Sequence, residues 1–151
     1  MNIETLFNIW NKDKQRIHKK GPGPYFSDRE IWWVQFGQNI ASEIYGKGDD
    51  FLRPAIIFRK VFDDACIILP LTSKQKSGNY YFKFKYQNKF QYVYLSQIRY
   101  IDAKRLHHKL GQMKIHDFKN LQKQFIQFIT KNNPPIKIGG NPQEGKLVTK
   151  S

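Results

Sequence analysis

The stretch "RPAIIFRKVFDDACIILPLT", Arg53 to Thr72, decides the fold. Two aliphatic, β-branched runs flank the pair Asp63–Asp64. Short acidic side chains bond their own backbone and favour a turn. The reading is two antiparallel strands, Arg53–Val61 and Ala65–Thr72. Proline lacks an N–H and is tolerated where a strand begins, which fits Pro54. Neighbouring antiparallel strands return to one edge, so Arg53 and Thr72 are expected at the same rim. Arginine's planar fork matches phosphate oxygens and stays charged at any working pH. A threonine hydroxyl can hold the same phosphate. The competing readings are an ion pair of Arg53 with Asp49 or Asp50, and an ordinary strand residue at Thr72.

Upstream, "EIWWVQF" from Glu30 reads as a strand, and alternation turns one of Trp32 and Trp33 inward. The polar, glycine-containing "GQNIASEIYGKGDD" reads as a mobile loop. Downstream, "NYYFKFKY" and "KFQYVYLSQI" form a hairpin across a short "QNK" turn, with Lys83 and Lys85 on one face. "IDAKRLHHKL" reads as a short helix or turn. "IHDFKNLQKQFIQFI" places Ile115, Phe118, Leu121, Phe125 and Phe128 or Ile129 on one helical face, which should cap the sheet. Residues 1–20 form an amphipathic helix through Ile3, Leu6, Phe7, Trp10 and Ile17. The expected organisation is that helix, a Gly/Pro linker over 21–28, a barrel domain over 29–130 and a disordered basic tail over 131–151. The fold class is mainly β: a small, strongly bent antiparallel barrel covered by helix.

Lys and Arg number 26 against 12 acidic residues in the 151-residue chain, a net charge of +14. That surplus favours a polyanion, nucleic acid before an anionic membrane. The single cysteine, Cys66, excludes a disulfide framework and a cysteine zinc site. No apolar run approaches the about 20 residues that span a bilayer, and "MNIETLFNIW" does not read as a signal peptide, so a cytoplasmic location is expected. There is no glycine-rich phosphate loop, no G-x-S-x-G and no H-E-x-x-H. His107 and His108 are adjacent and would diverge on a helix, so no metal is expected there. Carboxylates are too sparse for a two-metal nuclease.

"EIWWVQFG", "RPAII", "LPLTS" and "SQIRYIDAKRL" occur in this order. From Arg29 to about Ile129 the chain resembles the MazF/PemK toxins. The resemblance implies an SH3-like barrel, an active homodimer and metal-independent cleavage of single-stranded RNA. The products would be a 2′,3′-cyclic phosphate and a 5′-hydroxyl, with no cofactor. It also implies a cognate antitoxin with an acidic flexible tail, which the positive charge would attract. The family's arginine falls on Arg53 and its threonine on Thr72. Its loop glutamate, in a Ser-Glu-Gln pattern, falls on Glu43 after Ser42, with Ile44 in place of glutamine. Gln97 and Arg99 become RNA contacts, with Ser73, Lys74 and Lys76 beside the strand end. Trp33, Tyr45 and Phe51 are candidate platforms for unstacked bases. The loop from Glu43 to Arg53 is longer than usual, and Met1–Asp28 has no counterpart. In this reading the RNA's own 2′-hydroxyl attacks, Arg53 stabilises the phosphorane, Thr72 holds an oxygen and Glu43 is the first choice of base. Three alternatives remain: an inactive relative, a non-catalytic nucleic-acid-binding module, and a gyrase poison of the CcdB type. Against the last, the chain ends "KLVTKS" rather than Trp-Gly-Ile.

Overall fold

The computed structural model describes residues 1–131; the expected tail lies outside them apart from Lys131. Helix α1, Ile3–Lys19, is followed by strands β1 (Glu30–Gln35), β2 (Leu52–Phe62) and β3 (Ala65–Thr72). Then come β4 (Tyr81–Tyr86), β5 (Lys89–Tyr94), β6 (Arg99–Asp102), β7 (Leu106–Gln112) and helix α2 (Ile115–Thr130). The strands form one seven-stranded sheet in the order β4-β5-β3-β2-β1-β7, with β6 paired to β3.

The hairpin β2–β3 closes through Asp63–Asp64, since Phe62 pairs with Ala65. On its far side β3 changes partner, from β6 over Ala65–Ile68 to β5 over Leu71–Thr72. Pro70 lies between those two stretches, where a missing N–H costs least. The change of partner bends the sheet. No strand pairing among the described residues joins its outer edges, so the expected barrel is a curled, open sheet. One side chain does cross the gap: Tyr86 Oη donates to the Leu110 carbonyl at 3.2 Å.

Both faces of the central strands are buried, which explains their continuous apolar runs. Ala55, Ile57, Cys66 and Ile68 face one core with Trp32, Val34 and Phe36. Ile56, Leu69 and Leu71 face the other, which α2 covers with Phe118 and Leu121. On α2, Phe125 and Phe128 are half-buried, while Ile115 and Ile129 are exposed and fall off the expected face. Desolvation pushes the buried Cys66 thiol up to about 12, with Asp102 and Asp28 adding to the shift.

The segment expected as a short helix or turn is instead the end of β6, a 3-10 turn at Ala103–Arg105 and the start of β7. "LHHKLGQ" has no β-branched residue; pairing with β1 makes it a strand. The loop between β1 and β2 is fastened, not loose. Phe36 N–H and Gly37 N–H both donate to the Phe51 carbonyl, at 2.9 and 3.3 Å, and Gly46 N–H donates to Gly37 at 2.8 Å. No helix among the described residues is long and apolar enough to cross a membrane.

Candidate active site

Ala55 pairs with Pro70. Continuing that antiparallel register two residues sets Arg53 opposite Thr72. Both line one cleft of about 700 Å³, together with Ser73 and Lys74. Trp33, Pro54 and Leu71 also line it, as do Lys47 from the β1–β2 loop, Tyr86 from β4 and His108 from β7. No aspartate or glutamate is among the lining residues.

Arg53 is half-buried and makes no ion pair with Asp49 or Asp50. Its Nε donates to the Tyr45 carbonyl at 2.8 Å, and the guanidinium lies 6.0 Å from the Tyr45 ring centroid. With Nε held, the two Nη groups remain for a pair of phosphate oxygens. Thr72 is 8% exposed, yet reaches the cleft. Its Oγ1 accepts from Lys74 N–H at 3.2 Å, which leaves the hydroxyl hydrogen to donate.

The remaining expected residues separate. Trp33 lines the cleft half-buried, while Trp32 is buried and donates Nε1–H to Glu30 at 3.0 Å. Phe51 cannot serve as a base platform: it is 3% exposed and sits 5.4 Å from the Trp10 ring of α1. Its backbone is left-handed, φ 53°, a strained state for a bulky residue that the surrounding contacts hold in place.

Glu43 does not line the cleft. Its Oε1 accepts from Ile40 N–H at 2.9 Å, closing a turn. Gln97 pins the same loop, accepting from Ile44 N–H at 3.2 Å and donating to the Ser42 carbonyl at 3.1 Å. Arg99 donates to the Phe36 carbonyl at 3.3 Å. Burial lowers its guanidinium below the ordinary value, and the charge of Glu43 opposes that shift. Lys76 lies 5.9 Å from each of the Tyr81 and Tyr94 rings, outside the cleft. Gln97, Arg99 and Lys76 are half-buried, make these contacts within the protein and do not line the cleft of Arg53 and Thr72.

Sequence reasoning missed His108. β7 carries a register shift: Trp33 pairs with His108 and Val34 with Leu106, so His107 is the extra residue of a bulge. Bulges re-aim side chains. Here the two imidazoles meet, Nδ1 to Nδ1 at 2.8 Å, instead of diverging as expected for a helix. Only the pairing partner reveals this.

Residues 27–129 match the family model of the PemK-like, MazF-like toxin of type II toxin-antitoxin systems. Among solved structures, the chain resembles MazF (Form-I) from Deinococcus radiodurans at TM-score 0.56 and 13% identity, covering 72% of this chain and 99% of that one. It resembles Mycobacterium tuberculosis toxin MazF-mt6 at TM-score 0.52 and 14% identity, covering 69% and 99%. An endoribonuclease in complex with its cognate antitoxin, from a mycobacterial species, gives TM-score 0.52 and 12% identity, covering 74% and 100%. No curated protein matches the sequence.

Proposed function

The chain belongs to the PemK-like, MazF-like toxins of type II toxin–antitoxin systems, and we propose that it is an endoribonuclease cutting single-stranded RNA without a metal. The observation that carries this reading is the meeting of Arg53 and Thr72 in one cleft with a cationic, carboxylate-free lining. Such a lining attracts a phosphodiester and offers poor ligands for a divalent cation. Among the described residues, no three of His, Cys, Asp and Glu come together.

The RNA supplies the nucleophile. Its 2′-oxygen bonds to the adjacent phosphorus as the P–O5′ bond breaks, giving a 2′,3′-cyclic phosphate and a 5′-hydroxyl. One proton leaves the 2′-oxygen and one reaches the 5′-oxygen. The Arg53 Nη groups grip two phosphoryl oxygens and meet the charge that builds on the phosphorane. The Thr72 hydroxyl donates to the same phosphoryl group, and Trp33 offers a half-buried ring to an unstacked base. The partners that fit are single-stranded RNA, a second copy of the chain and an acidic antitoxin.

The test is incubation with single-stranded RNA in EDTA. Cutting should persist, leave a cyclic phosphate, and vanish when all sugars are 2′-deoxy. Arg53→Ala should stop it with the circular dichroism spectrum unchanged. Cleavage of the deoxy strand would refute attack by the 2′-hydroxyl.

A further inference from the structure

We propose that His108 is the general base of this reaction, an inference that rests on the endoribonuclease reading. Transfer from a 2′-hydroxyl needs a group that gains a proton near neutrality, and histidine is the side-chain type suited to it. The expected base, Glu43, is occupied at a turn outside the cleft. No carboxylate lines the cleft, and His108 is the histidine that does.

The sheet sets the spacing. Trp33 pairs with His108 on one side and with Pro54 on the other. His108 therefore lies two strand steps, about 10 Å, from the β2 backbone beside Arg53. Pro54 shares the face of His108, and Arg53 is the next residue along β2; at this end of the strands both Arg53 and His108 line the one cleft. In-line displacement puts the attacking and leaving oxygens on opposite sides of phosphorus. In this assignment Lys74, which lines the same cleft, meets the charge on the leaving 5′-oxygen, and His108 takes the side of the attacking 2′-oxygen.

The His107 contact selects the working atom. With Nδ1 of His108 engaged at 2.8 Å, Nε2 is the nitrogen left for substrate. When His108 donates Nδ1–H to His107, its Nε2 carries a lone pair and accepts the 2′-hydroxyl proton. The groups that share the cleft with the ring are Arg53, Lys47, Lys74 and Tyr86. His107 lies beside it, and Lys109 is turned to Glu30 at 2.9 Å. His108 is exposed, so its replacement spares the core.

The experiment compares wild type, His108→Asn and Arg53→Ala on ordinary RNA and on RNA whose scissile 5′-bridging oxygen is sulfur. His108→Asn should lower kcat/KM about 10²- to 10⁴-fold on ordinary RNA. The acidic limb of the pH profile should disappear with it. The loss should remain on the sulfur-bridged strand, because a thiolate leaves without a proton while the 2′-hydroxyl still needs a base. Recovery on that strand would make His108 an acid and overturn the assignment. So would wild-type rates with an unchanged pH profile, provided Arg53→Ala is inactive. A wild-type protein that leaves ordinary RNA uncut would sink the endoribonuclease reading and the base with it.

Discussion

Replacing Gly37 with alanine puts a methyl group where the N-terminal helix touches the β1–β2 loop. Gly37 has φ +80°, and a Cβ there would lie 2.0 Å from Cε2 of Trp10, against an ordinary contact of 3.4 Å or more. Two costs follow. The left-handed backbone costs an alanine about 1 kcal/mol. The indole, 5% exposed, must also retreat by more than an ångström from Phe51 and the loop. Complete loss of a buried tryptophan costs about 3–5 kcal/mol, so a displaced ring costs about half of that, near 2 kcal/mol. Gly48 supplies the control. It has φ +74°, and a Cβ there would meet nothing within 4 Å, so Gly48→Ala bears the backbone cost alone. At about 2–4 °C per kcal/mol, Gly37→Ala should melt about 10 °C below wild type and Gly48→Ala about 3 °C below. Thermal denaturation followed by circular dichroism and tryptophan fluorescence measures both. Equal losses in the two variants would refute the view that Trp10 clamps this loop.

Arg53→Lys keeps the charge but loses the fork, so cleavage should fall about 10²- to 10³-fold with the melting temperature unchanged; near-normal cutting would mean that charge alone suffices. Burial alone would raise the Glu30 carboxyl, but hydrogen bonds from Lys109, Trp32 and Ser27 N–H outweigh it and hold the group below its ordinary 4.5. A lowered folded value stabilises the protein above pH 4.5 and is lost as pH falls through it, so urea midpoints of Glu30→Gln should lack part of the wild type's acid dependence. Identical acid dependence in the two proteins would remove Glu30 from that role. With its thiol pushed up to about 12, Cys66 should resist iodoacetamide at neutral pH in the native protein and react once urea exposes it; labelling of the folded chain at a free-thiol rate would contradict its burial.

The parts legible in the sequence are those that local pattern determines. Ile56, Ile57, Ile67 and Ile68 announce strands, and the Asp63–Asp64 turn makes them antiparallel. Arg53 and Thr72 follow to one rim by counting residues. What failed depends on partners far along the chain. Phe51 sits in a polar, glycine-containing loop and looks free, but Trp10, 41 positions earlier, covers it. Gln97 and Arg99 also reach far along the chain, donating to the carbonyls of Ser42 and Phe36 and so tying the β1–β2 loop to the segment before β6 and to β6, which no local pattern announces. His108 belongs to a stretch with no strand signature, and only β1 and the bulge at His107 bring its ring to the cleft.

Contacts across long stretches of chain also tie α1 to the loop beside Arg53. The helix begins and ends before the segment that matches the family, 27–129. Its contacts nevertheless converge on the loop that fixes Arg53. Arg105 lies 5.5 Å from the Trp10 ring and donates to the Gln35 carbonyl at 3.0 Å, closing the indole between β1 and the turn before β7. Lys104 Nζ donates to the His18 carbonyl at 2.9 Å and holds the helix's last turn. Trp10 covers Phe51, whose carbonyl gathers both stems of the loop. Two residues later the chain reaches Arg53, which in turn bonds the same loop at Tyr45. A guanidinium on so long a side chain aims at one phosphate only if the carbonyl it leans on stays put. In the proposed mechanism the aim of Arg53 is set by this loop, and α1 fastens the loop from outside the matched segment.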